Sequence, residues 1–102
     1  MIDSFEILTK ALADASRLRL LKQLEDGEVC VCVLTESLGL APATVSKHLS
    51  LLKAAGFIQA RKNGRWVHYR LHDSPAPAAA ALLAVLREQV SSEAASPTPC
   101  CE

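Results

Sequence analysis

Apolar residues recur every three to four positions in two segments near the start of the chain, residues 4 to 14 and 16 to 25. This spacing predicts two amphipathic helices. Ser4 and Ser16 stand at the positions of N-caps, and Gly27 marks where the second helix should end. The chain is therefore predicted to begin with two helices that pack through their apolar faces.

Two further helices are predicted, separated by a very short turn. The first covers residues 31 to 38 and ends at Gly39, and the second has Pro42 in its first turn and ends at Gly56. Only two residues lie between Gly39 and Pro42. Helices joined by so short a turn, with a glycine in it, form a helix-turn-helix motif.

The second helix of this motif, called the reading helix below, has one apolar and one polar side. The apolar side consists of Val45, Leu49 and Leu52, and the polar side of Ser46, Lys47, Ser50 and Lys53. We expect the apolar side to dock on the other helices and the polar side to remain accessible.

Two β-like runs follow, at residues 57 to 61 and 66 to 71, with Asn63-Gly64 between them. Both turn residues tolerate positive φ, which makes this pair a strong hairpin signal. Alternation along the second run should bury Val67, Tyr69 and Leu71. A helix-turn-helix followed by a basic hairpin is a winged helix, so the predicted fold class is mainly α with a β-hairpin wing.

After a proline-containing break at residues 74 to 77, residues 78 to 90 predict a fifth helix rich in alanine and leucine. Its apolar surface has no partner left inside one subunit. We therefore expect a homodimer, in which the first and last helices pack against the same helices of a second copy. Residues 1–93 are the predicted winged helix-turn-helix domain, and residues 94–102 a flexible tail that carries two cysteines.

The formal net charge of zero hides an uneven distribution. Between Ser37 and His72 there are six basic residues and no acidic one, whereas the remaining segments hold five basic and eleven acidic residues. One face of the domain should therefore be positive, as binding to a phosphate backbone requires. The charge pattern predicts double-stranded DNA as a partner, in spite of the neutral total.

In a helix-turn-helix, the first residues of the reading helix meet base edges while basic side chains hold phosphates. The candidates for base contact are Thr44, Ser46 and Lys47, with Ser50 nearer the DNA backbone. The candidates on the wing, for phosphates or the minor groove, are Arg61, Lys62 and Arg65.

The chain has no run of eighteen apolar residues, and its N-terminus lacks the basic-then-apolar pattern of a signal peptide. We therefore expect a cytoplasmic protein with no membrane partner, in a compartment where thiols stay reduced. No cysteine is followed by a phosphate-cradling loop and an arginine, and no His/Asp arrangement activates a nucleophile, so we expect no enzymatic activity.

Four cysteines come as two close pairs, Cys30 with Cys32 and Cys100 with Cys101. Such spacing suits soft-metal binding or thiol redox chemistry better than a disulfide framework. Within a regular helix Cys30 and Cys32 would point about 200° apart, since each residue advances by about 100°. They can share one ion only if the backbone around Val31 is extended or unwound, so ion binding should compete with a regular start of the third helix.

Four segments in the correct order resemble the ArsR/SmtB family of metal-responsive winged-helix repressors, over roughly residues 5 to 90. The family's second helix is matched by LADASRLRLLKQL, and the metal-binding stretch of its arsenic-, cadmium- and lead-responsive members by VCVCVL. Its reading helix is matched by APATVSKHLSLLKAAGFI and its wing by RKNGRWVHYRL. The resemblance implies a homodimeric repressor of an arsenic-resistance operon, released from its operator when a toxic metal or metalloid binds.

The sequence departs from the family pattern in three places. Thr35 stands where arsenic-sensing members commonly carry a third cysteine, and Ala41 where the reading helix usually has a serine cap. The last helix has Arg87 and Glu88 but no histidine for a zinc site. A structural or solvent role is expected for the three histidines, His48, His68 and His72.

Arsenite and antimonite prefer thiolates, so As(III) or Sb(III) is the expected inducer, bound by Cys30, Cys32 and a third thiolate from Cys100 or Cys101. Three alternatives stay open. All four thiolates could bind Cd²⁺, Pb²⁺ or Zn²⁺ in a tetrahedral site. The pair Cys100-Cys101 could hold arsenic by itself, or a thiol pair could act as a redox or persulfide sensor without metal.

Overall fold

The computed structural model describes residues 2–89. Within this range the chain folds into five α-helices and a three-stranded antiparallel sheet. The helices are α1 (Ile2–Leu12), α2 (Ala15–Gln23), α3 (Val31–Leu38), α4 (Pro42–Ala54) and α5 (Pro77–Gln89), and the strands are β1 (Val29–Cys30), β2 (Ile58–Asn63) and β3 (Trp66–Leu71). The predicted winged helix-turn-helix is confirmed, with α4 as the reading helix.

The start of α2 differs from the predicted one. Asp14, and not Ser16, is the N-cap, because its carboxylate accepts hydrogen bonds from the backbone N–H groups of Ser16 (2.8 Å) and Arg17 (3.3 Å). A carboxylate here satisfies two N–H groups that the helix leaves without partners, and its charge favours the positive end of the helix dipole. The other predicted cap, Ser4, lies inside α1, which begins at Ile2.

The turn between α3 and α4 has the predicted form. Gly39 ends α3 in the left-handed conformation (φ 67°), where its N–H reaches the carbonyls of Thr35 and Glu36. Ala41 precedes α4 without a side-chain cap, and Pro42 begins the helix where an N–H would have no partner. The motif is therefore held by backbone conformation rather than by capping side chains.

The sheet contains a strand that the sequence pattern did not predict. The two residues of β1 pair with β3, which pairs on its other side with β2. The register aligns Cys30 with His68, and His68 with Arg61. The cysteine that precedes α3 and the wing therefore belong to one sheet. A strand of two residues has no alternation long enough to detect, which explains why it was missed.

The predicted hairpin is confirmed, but its turn is displaced by one residue. Asn63 still pairs with Trp66, so the loop residues are Gly64 and Arg65. Of the two residues predicted to turn, only Gly64 has a positive φ (64°). The wing is thus two full six-residue strands with a minimal loop.

The hydrophobic core lies between the helices and one face of the sheet. The three residues predicted to form the apolar side of α4, Val45, Leu49 and Leu52, are each 0% exposed. Phe57, just before β2, is also fully buried among them. All six residues of β3 are half-buried, so the predicted alternation of buried and exposed positions is not observed. Of the three residues expected to be buried, Tyr69 and Leu71 pack against the core and Val67 does not.

Candidate DNA-binding surface and thiol site

The polar side of α4 is exposed. The predicted contacts on this helix, Thr44, Ser46, Lys47 and Ser50, are all accessible, and so is Lys53. Their exposure follows from the burial of the apolar side, which fixes which side of the helix faces outward. These side chains are therefore available together on one helix, and their contact with DNA remains a prediction.

Acidic residues from outside the basic segment neutralise two of its six cations. Glu28 binds Arg61, with Nε 3.0 Å from Oε2 and Nη2 on Oε1, and Asp73 binds Arg70 at 2.8 Å. The remaining four, Lys47, Lys53, Lys62 and Arg65, form no ion pair with any residue between 2 and 89. The positive charge that stays available is thus concentrated on α4 and near the tip of the wing.

The pairing of Arg61 with Glu28 was not foreseen from the sequence. The hydrogen bond from Arg61 lowers the pKa of the Glu28 carboxyl, and the same bond raises the pKa of the guanidinium. His68 lies beside the pair, with Nδ1 4.0 Å from Oε1 of Glu28. Arg61 must exchange this carboxylate for a phosphate in order to act as predicted. Thirty-three residues separate the partners, so no local pattern could have indicated the pair.

At the tip of the wing, the guanidinium of Arg65 lies over the ring of Trp66, 5.1 Å from its centroid. A cation over an aromatic face is attracted by the ring quadrupole. Arg65 and Lys62 both remain exposed. The aromatic contact restrains the side chain of Arg65. It leaves the positive charge available, which binding to a phosphate requires.

The two cysteines before the reading helix lie side by side. The Sγ atoms of Cys30 and Cys32 are 3.0 Å apart. Cys30 is the last residue of β1 and the N-cap of α3, with extended backbone (φ −68°, ψ 142°), and α3 begins at Val31. The helical offset of about 200° does not apply, because only one of the two cysteines is inside the helix.

This geometry bears on the expected competition between ion binding and a regular start of α3. The extended backbone next to Val31 agrees with the condition set by the sequence, but the sulfurs converge while α3 keeps a regular start. Convergence of the sulfurs therefore does not by itself require α3 to unwind, and the expected competition between ion binding and a regular start of α3 stays a prediction. Because Cys30 is extended and stands outside the helix, its sulfur can approach that of Cys32 in the first turn of α3, which two residues inside a regular helix could not do.

The sulfur atoms of Cys30 and Cys32 do not by themselves complete a metal site. Within residues 2–89 no group of three or more His, Cys, Asp or Glu side chains is arranged to hold an ion. Thr35, at the position where the resemblance led us to look for a third cysteine, donates its hydroxyl to the carbonyl of Val31 at 2.8 Å. The other predicted ligands, Cys100 and Cys101, lie outside the described residues, as does the whole predicted tail.

The two cysteines lie at the start of α3, and α3 packs directly against the reading helix, α4. Leu34, two residues after Cys32, is fully buried in the same hydrophobic cluster as Val45 and Leu49 of α4. A shift at the start of α3 therefore acts on the side chains against which the reading helix is seated.

The histidines have structural contacts, and one of them reveals a residue that sequence reasoning missed. Nδ1 of His72 accepts a hydrogen bond from the backbone N–H of Ser74, and Nδ1 of His48 lies 3.1 Å from Nη1 of Arg17. Arg17 is 31 positions from His48, and nothing in its local pattern distinguishes it from a solvated arginine.

Helix α1 carries several exposed apolar side chains. Ile2, Phe5 and Ile7 are 87%, 56% and 50% exposed, and Val85 on α5 is 52% exposed. Such a concentration on one short helix is unusual for a surface that stays in contact with water. None of the helices within residues 2–89 has both the length and the apolar character needed to cross a bilayer.

Comparison with known proteins places the chain in a family. Residues 14–60 match the family model described as bacterial regulatory protein, arsR family. The arsenical resistance operon repressor of Escherichia coli strain K12 is 47% identical over 65 residues, 63% of this chain and 56% of the relative. The cadmium resistance transcriptional regulatory protein CadC homolog of Staphylococcus aureus is 42% identical over 65 residues, 63% of this chain and 54% of the relative. The chain thus matches about half the length of these relatives.

A solved structure extends the match to nearly the whole described chain. It is the solution structure of a homodimeric winged helix-turn-helix DNA-binding domain from Mycobacterium bovis, described as a possible ArsR-family transcriptional regulator. It is 31% identical, with a TM-score of 0.73, and covers 86% of this chain and 79% of that one. The family consists of DNA-binding transcriptional regulators rather than enzymes. With its fold, sequence and motif order in agreement, this chain belongs to the ArsR family of bacterial regulatory proteins.

Proposed function

We propose that this chain is a transcriptional repressor that binds double-stranded operator DNA as a homodimer in the cytoplasm. The exposed polar side of α4, and the four cations that form no ion pair within residues 2–89, support DNA binding. Thr44, Ser46 and Lys47 meet base edges, and Ser50 lies near the backbone. Lys62 and Arg65 hold phosphates, and Arg61 joins them after exchanging Glu28 for a phosphate.

The inducer in this proposal is As(III) or Sb(III), which binds Cys30, Cys32 and a thiolate from Cys100 or Cys101. The observation that carries it is the 3.0 Å separation of the first two sulfur atoms. Two sulfurs so close present two soft donors to one ion. Each As–S bond replaces one hydroxyl group of arsenous acid, which leaves as water with the thiol proton.

Release follows from the position of the thiols between the wing and the reading helix. Cys30 belongs to the strand that pairs with β3 of the wing, and Cys32 to the first turn of the helix that supports α4. Recruiting a third thiolate pulls on both elements at once. A coupling of about 1 to 3 kcal/mol per site lowers DNA affinity by about 5- to 150-fold, which is sufficient for induction.

Arsenite titration of the DNA complex tests the assignment of the thiols. A labelled duplex from the promoter upstream of the protein's own gene is followed by fluorescence anisotropy. Wild-type protein should dissociate when arsenite is added, whereas Cys30→Ser and Cys32→Ser should bind the duplex normally and stay bound. Thr35→Ser, which changes a neighbouring side chain but no thiol, is the control. Continued release of either cysteine variant by arsenite would refute the assignment.

Deletion of residues 96–102 tests the third ligand separately. This change removes both cysteines of the proposed tail, residues 94–102, and leaves the proposed domain, residues 1–93, nearly complete. Arsenite affinity should fall, since a pair of thiolates leaves one As–S bond unmade. X-ray absorption at the arsenic edge should count three sulfur neighbours in the full chain and two after the deletion. Unchanged affinity would exclude the tail.

The same geometry favours a second candidate, a redox or persulfide sensor. Sulfur atoms 3.0 Å apart are also placed for oxidation, in which the two thiols pass two electrons and two protons to an oxidant such as diamide. Release by diamide or a polysulfide, without release by arsenite, would favour this reading. Release by Cd²⁺, Pb²⁺ or Zn²⁺ with four sulfur neighbours would instead indicate a tetrahedral site of all four cysteines.

A further inference from the structure

One guanidinium joins three helices. Arg17, in the first turn of α2, donates from Nε to the carbonyl of Ala11 (2.8 Å) and from Nη2 to the carbonyl of Lys10 (3.1 Å), both in the last turn of α1. Its Nη1 lies 3.1 Å from Nδ1 of His48, in the middle of α4. The end of α1 and the reading helix are thus tied to the same side chain.

The chemistry of the pair assigns a role to each partner. Arginine has only donors, so the contact is a hydrogen bond when Nδ1 of His48 carries no proton and accepts from the guanidinium. A protonated ring would carry a hydrogen on Nδ1 and would place a second positive charge against the guanidinium. The contact between Arg17 and His48 therefore exists only while His48 is neutral.

Arg17 is itself held in place. Burial opposes ionisation of Asp14, but hydrogen bonds from the backbone N–H groups of Arg17 and Ser16, together with the charge of Arg17, lower the pKa of the Asp14 carboxyl below its ordinary value. The carbonyls that Arg17 binds belong to the end of α1, where the helix supplies no partner and where a cation suits the helix dipole. The guanidinium is therefore positioned by α1 and α2 before it meets the reading helix.

His48 lies at the boundary between the two sides of α4. It is half-buried, with exposed Lys47 before it and fully buried Leu49 after it. Apolar contacts along the buried side resist separation of the helix but are not directional, so they tolerate small rotations about its axis. A hydrogen bond at the boundary is directional, and it restrains the rotation that aims Ser46 and Lys47.

We propose that the contact between Arg17 and His48 positions the reading helix relative to α1, and thereby matches the two reading helices of a dimer to the half-sites of the operator. The proposal rests on the proposed function, a repressor that binds operator DNA as a homodimer, and on the sequence prediction that α1 lies at the dimer interface. Half-sites of helix-turn-helix dimers lie about 34 Å apart or a multiple of that distance. A small rotation of each reading helix therefore moves its side chains out of register with the bases of the half-site. Arg17 and His48 are positioning residues.

The test compares two variants of the full chain, each measured against the promoter duplex and an unrelated duplex of equal length. His48→Leu removes the acceptor, whereas His48→Gln offers an amide oxygen to the same donor. His48→Leu should lose about tenfold or more in promoter affinity, the size associated with one hydrogen bond to a charged group. Its affinity for the unrelated duplex should not change, because that binding needs only phosphates. His48→Gln should recover most of the lost promoter affinity.

The dependence of promoter affinity on pH tests the hydrogen bond separately from the packing of His48. Because a proton on Nδ1 removes the acceptor, acidification should lower the promoter affinity of wild-type protein more than that of His48→Gln. The charged groups facing His48 are Arg17 and Asp14 of the α2 segment, α1 presents the two carbonyls bound by Arg17, and Lys47 is its neighbour on α4. These groups and the other histidines are common to both proteins, so the comparison isolates His48.

Equal promoter affinity of His48→Leu and wild type would overturn the inference, and so would equal acid dependence of wild type and His48→Gln. If His48→Leu fails to fold, the acid comparison decides by itself, because both of its proteins retain the acceptor. Wild-type protein that binds the promoter and the unrelated duplex equally would refute the proposed function, and the inference with it. If wild-type protein prefers the promoter and His48→Leu keeps the same preference, the inference is refuted and the proposed function is not.

Discussion

At the residue scale, Thr35 explains why the thiol site is incomplete near α3. Its hydroxyl is occupied by the carbonyl of Val31, one helical turn earlier, at 2.8 Å. A hydroxyl is also a poorer ligand than a thiolate for a soft ion. The position nevertheless lies three residues after Cys32 on α3, and residues at that spacing are neighbours on a helix.

Thr35→Cys should therefore supply the third thiolate from within α3. Arsenite affinity should rise by about tenfold or more, the size of about 1.4 kcal/mol, because the third ligand no longer has to be recruited from elsewhere in the chain. Isothermal titration with arsenite checks this, with and without residues 96–102. Ser37→Cys, which puts the same thiol on another side of α3, is the control and should bind arsenite as wild type does. Loss of affinity in Thr35→Cys after the deletion would contradict the prediction.

At the element scale, the three-stranded sheet connects the thiols to the wing. Cys30, His68 and Arg61 are aligned across β1, β3 and β2, and Glu28 bridges from the residue before β1 to Arg61 on β2. The wing is thus anchored both by its ladder of hydrogen bonds and by an ion pair. Whatever moves β1 also moves the carboxylate that holds a wing arginine.

The ion pair makes stability depend on pH in a defined direction. Because Arg61 lowers the pKa of Glu28 in the folded state, the contribution of the pair is fully present above the unfolded-state pKa, about 4.3, and is lost as the pH falls through the lower folded-state value. The urea midpoint of Glu28→Gln should lie below that of wild type from pH 7 to about pH 5, and the difference should shrink toward pH 3. Glu36→Gln, which removes an exposed carboxylate with no ion pair among residues 2–89, is the control. A difference that grows on acidification would contradict the sign.

At the scale of the whole molecule, a single subunit leaves apolar side chains of its first helix exposed to solvent. Leu8 and Ala11 of α1 are buried in the core, but Ile2, Phe5 and Ile7 face outward. The proposed dimer buries exposed apolar side chains of α1, and its two reading helices then act on one duplex. Two sets of phosphate contacts, about six to ten in all, would reduce operator affinity by about 10³- to 10⁵-fold between 50 and 200 mM salt.

Phe5→Glu should weaken the dimer, since it places a carboxylate where an aromatic side chain is proposed to be buried. Sedimentation velocity should show a shift from dimer to monomer at micromolar concentration, and promoter affinity should fall with it. Ala13→Glu, which adds the same charge at an exposed position after α1, is the control and should remain dimeric. A dimeric Phe5→Glu protein would place the interface elsewhere.

Much of the fold was predictable because local rules decide it. The left-handed position of Gly39, Pro42 at the start of α4 and the hairpin around Gly64 depend on backbone preferences of single residues. The buried side of α4 follows from helical periodicity. The N-cap of α2 was misplaced because Asp14 and Ser16 are both good caps, and only the packed chain selects between them.

By itself, the sequence determined the order of the elements, the buried and exposed sides of the reading helix, and the presence of two thiol pairs. Tertiary structure decided how side chains distant in the chain meet, Glu28 with Arg61 and Arg17 with His48. It also decided that Cys30 ends a strand that pairs with the wing, instead of continuing α3, which lets its sulfur approach that of Cys32. The physical reason is the range of the forces involved. Backbone preference and periodicity act over a few residues, whereas ion pairs, hydrogen bonds and thiol geometry depend on distances that exist only once the helices and the sheet have packed.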